Sequence, residues 1–287
     1  MDIKQYLAQK KKVIDEILDQ FLPQPDVYPS AIHQAMRYSV LGSGKRFRPI
    51  LALTVFEALG GQGEPILPAA CALELIHTYS LIHDDLPCMD DDDWRRGKPT
   101  LHKAFDEAVA VLAGDALSAL AFELLAATGR SDVIREVARA IGAQGMVGGQ
   151  VVDIQTEGRP FAAEELEYIH SHKTGALITA ASRVGAILAG AGERELVAVT
   201  RFGEKVGLAF QIVDDILNLE GEREKMGKRT GTDEAKRKAT YPALFGLDRS
   251  KRQARRLVEE AKKELDMLGS CAYILKALAD FVVQRSR

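Results

Sequence analysis

The sequence predicts an all-α protein, on three observations. From Phe202 onward the apolar residues Phe202, Val206, Ala209, Phe210, Val213, Ile216 and Leu217 recur at the spacing of one buried helical face. Alternating strand patterns bounded by Asn-Gly or Asp-Gly turns are missing. No Gly/Ser/Pro-rich linker, low-complexity tract or fixed-period repeat divides the chain. Its length of 287 residues suggests two domains as a bare prior. A chain of roughly 300 residues can nevertheless bury about 75% of its unfolded surface in one core. The expectation is a single helical domain over residues 1–287.

Taken in order, MDIKQYLAQKKKVIDEILDQF mixes charged and apolar residues at helical spacing and lacks the apolar block of a signal peptide. That makes the cytoplasm the default compartment. Further helices are expected over 31–40, 49–59, 67–86, 104–127, 131–148, 163–189, 251–268 and 271–284. The most membrane-like stretch, 175–192, is rich in Ala and Gly but interrupted by Ser182 and Arg183, so it reads as a tightly packed core helix and no membrane span is expected. KRQARR at 251–256 reads as the solvated face of a late helix.

Composition excludes several classes. Lys+Arg number 38 against 41 Asp+Glu, a net charge of -3, so no global charge drives nucleic-acid binding. With 46% hydrophobic and 28% charged residues, the chain is not a disordered polymer. Cys71, Cys88 and Cys271 form no CxxC pair, which argues against a disulfide framework and a thiolate zinc site.

Two charged stretches break the helical text, PCMDDDDWRRGKPT at 87–100 and EGEREKMGKRTGTDEAKRK at 220–238, and each follows a helix ending in paired aspartates. In CALELIHTYSLIHDD, His77, Ser80 and Asp84 share one helical face. Pro87 disfavours helix at Leu86, so the chain should turn there and let Asp90 fold back towards Asp84 and Asp85. In FQIVDDILNLEG, Gln211, Asp215 and Asn218 follow at i, i+4 and i+7, beside Asp214. Carboxylates in apolar helices need a countercharge. Without His or Cys partners they suit a hard cation such as Mg²⁺, which binds one or two carboxylates together with substrate phosphate. No EF-hand loop, P-loop or GxGxxG is present. Cations gather nearby: Lys45, Arg46 and Arg48 in GSGKRFRP, Arg95, Arg96 and Lys98 in WRRGKPT, and Lys173, Lys228 and Lys238. Arginine forks match phosphate oxygens, and lysine supplies a point charge. The pattern suits two polyanionic groups, one reached through metal and one gripped directly.

LIHDDLPCMDDDDWRRGKPT and FQIVDDILNLEG resemble the two aspartate-rich motifs of the trans-isoprenyl diphosphate synthases (polyprenyl synthetases). GSGKRFRP, GGQVVD, HKTG and GK…KATYP match the other family motifs in order. The chain is most similar to the bacterial farnesyl diphosphate synthase type. The resemblance implies the isoprenoid synthase fold, a helical bundle around a central cavity, as a homodimer. It implies Mg²⁺, three ions with the allylic diphosphate bound, on Asp84, Asp85, Asp90 and Asp214. Arg95, Lys173 and Lys228 would contact the allylic diphosphate, with Thr174, Gln211 and Lys238 lining its site. Lys173, Thr174, Gln211 and Lys228 would thereby serve catalysis. Lys45, Arg48, His77 and Arg96 would bind isopentenyl diphosphate. Tyr79 and Ser80 would set chain length, with Tyr79 about 7.5 Å below Asp84 at ~1.5 Å per residue.

The implied reaction is Mg-dependent 1'-4 condensation of isopentenyl diphosphate with dimethylallyl or geranyl diphosphate to farnesyl diphosphate. The alternatives are a geranylgeranyl product, a class I terpene cyclase and a non-catalytic synthase subunit. Asn218 departs from the usual DDxxD, which implies altered metal affinity rather than lost activity.

Overall fold

The computed structural model describes residues 2–220 and 239–285. It is helical almost throughout. The described residues fall into two compact units, Met1–Ile50 with Glu64–Ser131 and Leu51–Gly63 with Asp132–Arg287.

The first unit holds α1 (Ile3–Phe21), α2 (Ser30–Val40), the start of α3 (Phe47–Ala58), α4 (Leu67–Asp84), α5 (Leu101–Ala104) and α6 (Glu107–Ala127). Helix α4 is buried from Ala69 to Ile76, Glu74 included. It packs on α6, where Gly114 leaves the space that His83 fills: a Cβ there would sit 2.1 Å from His83 Nε2. Asp106 starts α6 by accepting from Val109 N at 2.7 Å, which splits the helix expected over 104–127. Helix α6 is also the one described helix long and apolar enough to cross a membrane by length and composition, whereas the sequence reading took 175–192 as the most membrane-like stretch. In this unit it packs against α4 and α2.

One strand pair departs from the all-helical expectation, β1 (Trp94–Arg95) with β2 (Lys98–Pro99). Its turn residues, Arg96 and Gly97, have φ of 53° and 79°, the double positive φ of a tight two-residue hairpin. No Asn-Gly signals it, because an arginine occupies the position that favours Asn or Gly.

The second unit holds the rest of α3, then α7 (Ser131–Ile141), α8 (Met146–Thr156), α9 (Ala163–Ile169), a π-helical segment (His170–Gly175), α10 (Ala176–Leu188), α11 (Glu193–Glu220), α12 (Tyr241–Phe245), α13 (Leu247–Glu264), a 3₁₀ segment (Asp266–Ala272) and α14 (Tyr273–Gln284). Helix α11 buries Phe202, Val206, Ala209, Val213 and Ile216 of the stripe read from the sequence, while Phe210 and Leu217 are half-buried. Arg252, Arg255 and Arg256 of α13 are exposed. The helix expected over 131–148 breaks after Ile141, where Gly145 allows a turn in which a Cβ would meet Ala140 O at 2.1 Å. The stretch 163–189 is helical, but its middle winds as a π segment, a local irregularity frequent at functional sites.

Candidate active site

In the first unit, α4 ends on Asp84 and the chain turns back at once. Asp90 N donates to Asp84 O at 2.8 Å, and Asp92 N donates to Asp85 O at 3.3 Å. Asp84 and Asp90 are partly exposed, whereas Asp85 is buried. Asp85 is clamped by Arg95, whose Nε lies 2.7 and 2.8 Å from its two oxygens and whose Nη2 lies 2.5 Å from Oδ1. Burial pushes the Asp85 carboxyl up to about 6 against the pull of that guanidinium. Arg95 is raised, because the charge and hydrogen bonds of Asp85 outweigh the burial that opposes them.

The basic residues separate into two groups. Arg46 is 2% exposed and donates to Asp15 Oδ1, Glu74 Oε1 and Val40 O at 2.7 Å each, and to Gly42 O at 3.2 Å. It is therefore a structural cation, and its partners Glu74 and Asp15 carry no motif signal beyond one acid inside an apolar helix. Lys45 is exposed, Arg48 is buried and Arg96 is partly buried. Gly44 lies beside two guanidinia: a Cβ there would sit 2.8 Å from both Arg46 Nη1 and Arg96 Nη1. Burial holds His77 well below the usual imidazole range, and the charges of Arg48, Arg96 and Arg95 add to this. His77 is thus neutral at pH 7 and able to donate one hydrogen bond within a positive environment. The three described non-glycine residues with positive φ, Arg46, Asp91 and Arg96, all lie in these two loops.

Tyr79 is partly buried, and its hydroxyl pKa is raised by burial and then by Asp84. Its ring meets His83 edge-on at 5.9 Å. Ser80 Oγ donates to His77 O at 3.0 Å.

In the second unit the π segment is wedged by two close approaches. A Cβ on Gly149 of α8 would sit 2.2 Å from Lys173 N, and one on Gly207 of α11 would sit 2.9 Å from Gly175 Cα. These contacts explain the glycines of GGQVVD and HKTG. They set Lys173 Nζ 2.6 Å from Asp153 Oδ2, and Thr174 Oγ1 donates to Gln211 Oε1 at 2.7 Å. Gln211 Nε2 then donates to Asp215 Oδ1 at 2.9 Å. Asp215 is buried and also accepts from Tyr241 N at 2.9 Å, with His170 Nε2 at 3.2 Å. Its neighbour Asp214 is half-exposed, and Arg285 Nη2 lies 2.8 Å from its Oδ1. Arg285 also stacks over Phe210 at 3.7 Å. Asn218 is buried on the same helix. Sequence reasoning assigned no role to His170, Tyr241 or Arg285, which lie outside the aspartate motifs. Lys228 and Lys238 lie outside the described residues.

Each unit therefore presents aspartates at a helix end together with fixed cations or amides. Oxygen-only donors at Asp84 and Asp90, brought together by the fold-back, fit a hard divalent cation.

The polyprenyl synthetase family model matches residues 29–278. The chain is 46% identical to the geranylgeranyl diphosphate synthase of Cyanophora paradoxa, covering 98% of this chain and 96% of that one. It is 44% identical to the farnesyl diphosphate synthase of Bacillus subtilis, covering 98% and 97%. Among solved structures, an FPP/GFPP synthase from Zymomonas mobilis superposes with a TM-score of 0.86 at 39% identity, covering 98% of each chain. A geranyltransferase from Helicobacter pylori, complexed with magnesium and isoprenyl diphosphate, gives 0.84 at 35% identity, covering 99% and 97%. The chain belongs to the polyprenyl synthetase family and has its all-α isoprenoid synthase fold. It is a prenyltransferase that joins isoprenyl diphosphates head to tail.

Proposed function

We propose that this prenyltransferase condenses isopentenyl diphosphate with dimethylallyl and then geranyl diphosphate and stops at the C15 product, farnesyl diphosphate. The observation that carries this reading is Tyr79. It lies five residues before Asp84 on α4, with its ring against His83. His83 is itself held, with Nε2 3.1 Å from Val111 O and the ring in the space left by Gly114. A braced aromatic at that depth gives the apolar end of a substrate channel a floor. Relatives carry both farnesyl and geranylgeranyl names, so product length is the point to measure.

In this reading Asp84, Asp85, Asp90 and Asp214 hold three Mg²⁺ ions. The metal would supply stabilisation of negative charge as diphosphate leaves. Arg95, Lys173 and Lys228 bind the allylic diphosphate, with Thr174, Gln211 and Lys238 beside it. Asp85 fixes the guanidinium of Arg95 in place, and Asp153 does the same for the Lys173 ammonium. Such preorganised charge needs no rearrangement when the allylic C–O bond breaks. Lys45, Arg48, His77 and Arg96 bind isopentenyl diphosphate, with neutral His77 donating a hydrogen bond. Apolar walls exclude water so that the allylic cation meets the isopentenyl double bond first. The departing diphosphate takes the proton. The chain is proposed to act as one catalytic domain and as a homodimer, the latter supported by the exposed apolar Val111 and Leu112 on α6. Its proposed compartment is the cytoplasm.

Incubation with Mg²⁺, isopentenyl diphosphate and dimethylallyl or geranyl diphosphate tests this reading, with product length read by chromatography. Wild type should end at C15, and Tyr79→Ala should add C20. A C20 product from wild type, or an unchanged distribution in the variant, refutes the role given to Tyr79.

A further inference from the structure

A second set of metal-ligating groups lies in the first unit, apart from Asp84, Asp85 and Asp90. One carboxylate oxygen each from Asp91 and Asp93 and a ring nitrogen of His102 all lie within 4.8 Å of one another. Exposed acids alone would mark nothing, but the imidazole is different. His102 is only 7% exposed, and its buried Nε2 has no hydrogen-bond partner among the described residues. A buried polar atom left unsatisfied costs about 1–3 kcal/mol, so an orphaned ring nitrogen calls for a reason.

The other ring nitrogen supplies part of that reason. Nδ1 lies 3.2 Å from Thr100 Oγ1, and Thr100 is buried. With Nδ1–H donating to that hydroxyl, Nε2 keeps its lone pair. This is the tautomer a metal requires, fixed by a hydrogen bond to the opposite side of the ring.

We propose that Asp91, Asp93 and His102 form a binding site for a divalent transition ion of the zinc class, distinct from the magnesium chemistry at Asp84 and Asp90. Two carboxylates and one imidazole make a three-ligand zinc-type set, whereas Mg²⁺ favours oxygen donors throughout. Bonds of ~2.1 Å allow two donors to lie at most ~4.2 Å apart, so the set must contract slightly around an ion. The exposed Asp91 and Asp93 can make that movement while His102 stays in its buried place on α5. Lys103 Nζ lies 3.0 Å from Asp93 Oδ1 and would be displaced, so the lysine competes with the metal. A bound ion would tie the loop between Asp90 and Arg95 to α5. The site rests on these three residues and stands whether or not the product is C15.

The test is equilibrium dialysis of the full chain against buffered Zn²⁺ in excess Mg²⁺, which occupies the all-oxygen positions. Wild type should retain one zinc more than His102→Gln, with affinity at the site falling about tenfold or more in that variant. Should the loss of a buried ring impair folding of His102→Gln, Asp91→Asn at an exposed position gives the same reading and should lose affinity to a similar extent. Lys103→Ala removes the competitor and should bind zinc more tightly than wild type. Equal zinc binding by wild type and Asp91→Asn overturns the proposal, as does weaker binding by Lys103→Ala.

Discussion

Replacing Arg46 with alanine should destabilise the protein severely without touching a substrate contact. The guanidinium donates to Glu74 Oε1 at 2.7 Å, and Glu74 is 1% exposed in the middle of α4. Burial alone presses the pKa of Arg46 down, but Glu74 and Asp15 together raise it, so the residue stays charged. Alanine would strand the Glu74 carboxylate among apolar neighbours and take a donor from Val40 O and Gly42 O. Breaking a buried pair from one side costs about 3–5 kcal/mol. Asp15 adds little to that loss, since its side chain is 33% exposed and water can solvate it. Removing both charges has a different outcome. A pair replaced by apolar side chains of similar volume is often neutral in stability, so Arg46→Met/Glu74→Met should recover most of what Arg46→Ala loses. Urea unfolding followed by circular dichroism measures both values. A loss below about 1 kcal/mol in Arg46→Ala, or no recovery in the double variant, would refute the account. The double variant should also keep its KM for isopentenyl diphosphate. A tenfold rise, about 1.4 kcal/mol, would mean that Arg46 reaches the substrate after all.

Two further outcomes follow from perturbed groups in the first unit. The Asp85 carboxyl has a pKa of about 6 folded against 3.8 ordinarily, so the folded state takes up its proton first. Its contribution is destabilising above pH 6 and is relieved as pH falls towards 3.8, so acidification from pH 7 to pH 4.5 should favour wild type over Asp85→Asn by on the order of 2 kcal/mol. Denaturation midpoints of the two proteins at pH 7 and pH 4.5 measure this, and a shift the other way would show that the clamp of Arg95 outweighs burial. The thiols should also separate. Burial pushes Cys71 up to about 12, while Cys88 and Cys271 are exposed, so a thiol reagent at pH 8 should label two cysteines in the native state and the third only after unfolding.

What the sequence made legible follows from the range of the interactions involved. The α11 stripe and the fold-back of Asp90 depend on residues a few positions apart, and periodicity and Pro87 are enough to expose them. Arg46 was not separable from Lys45 and Arg48 in GSGKRFRP, because its partners stand 31 residues before it and 28 after. Asp214 and Asp215 are likewise the same letter twice. What distinguishes them is Tyr241 N, 26 residues on, and His170 on the π segment, which bind one, while Arg285 of the C-terminal arm binds the other. The π segment itself has no sequence period, and its cause is steric: glycines of α8 and α11 approach its backbone from two sides. Local chemistry thus announced which charges the fold gathers. Which of them it then neutralises, and so which remain for a ligand, was decided by contacts that only the folded chain brings together.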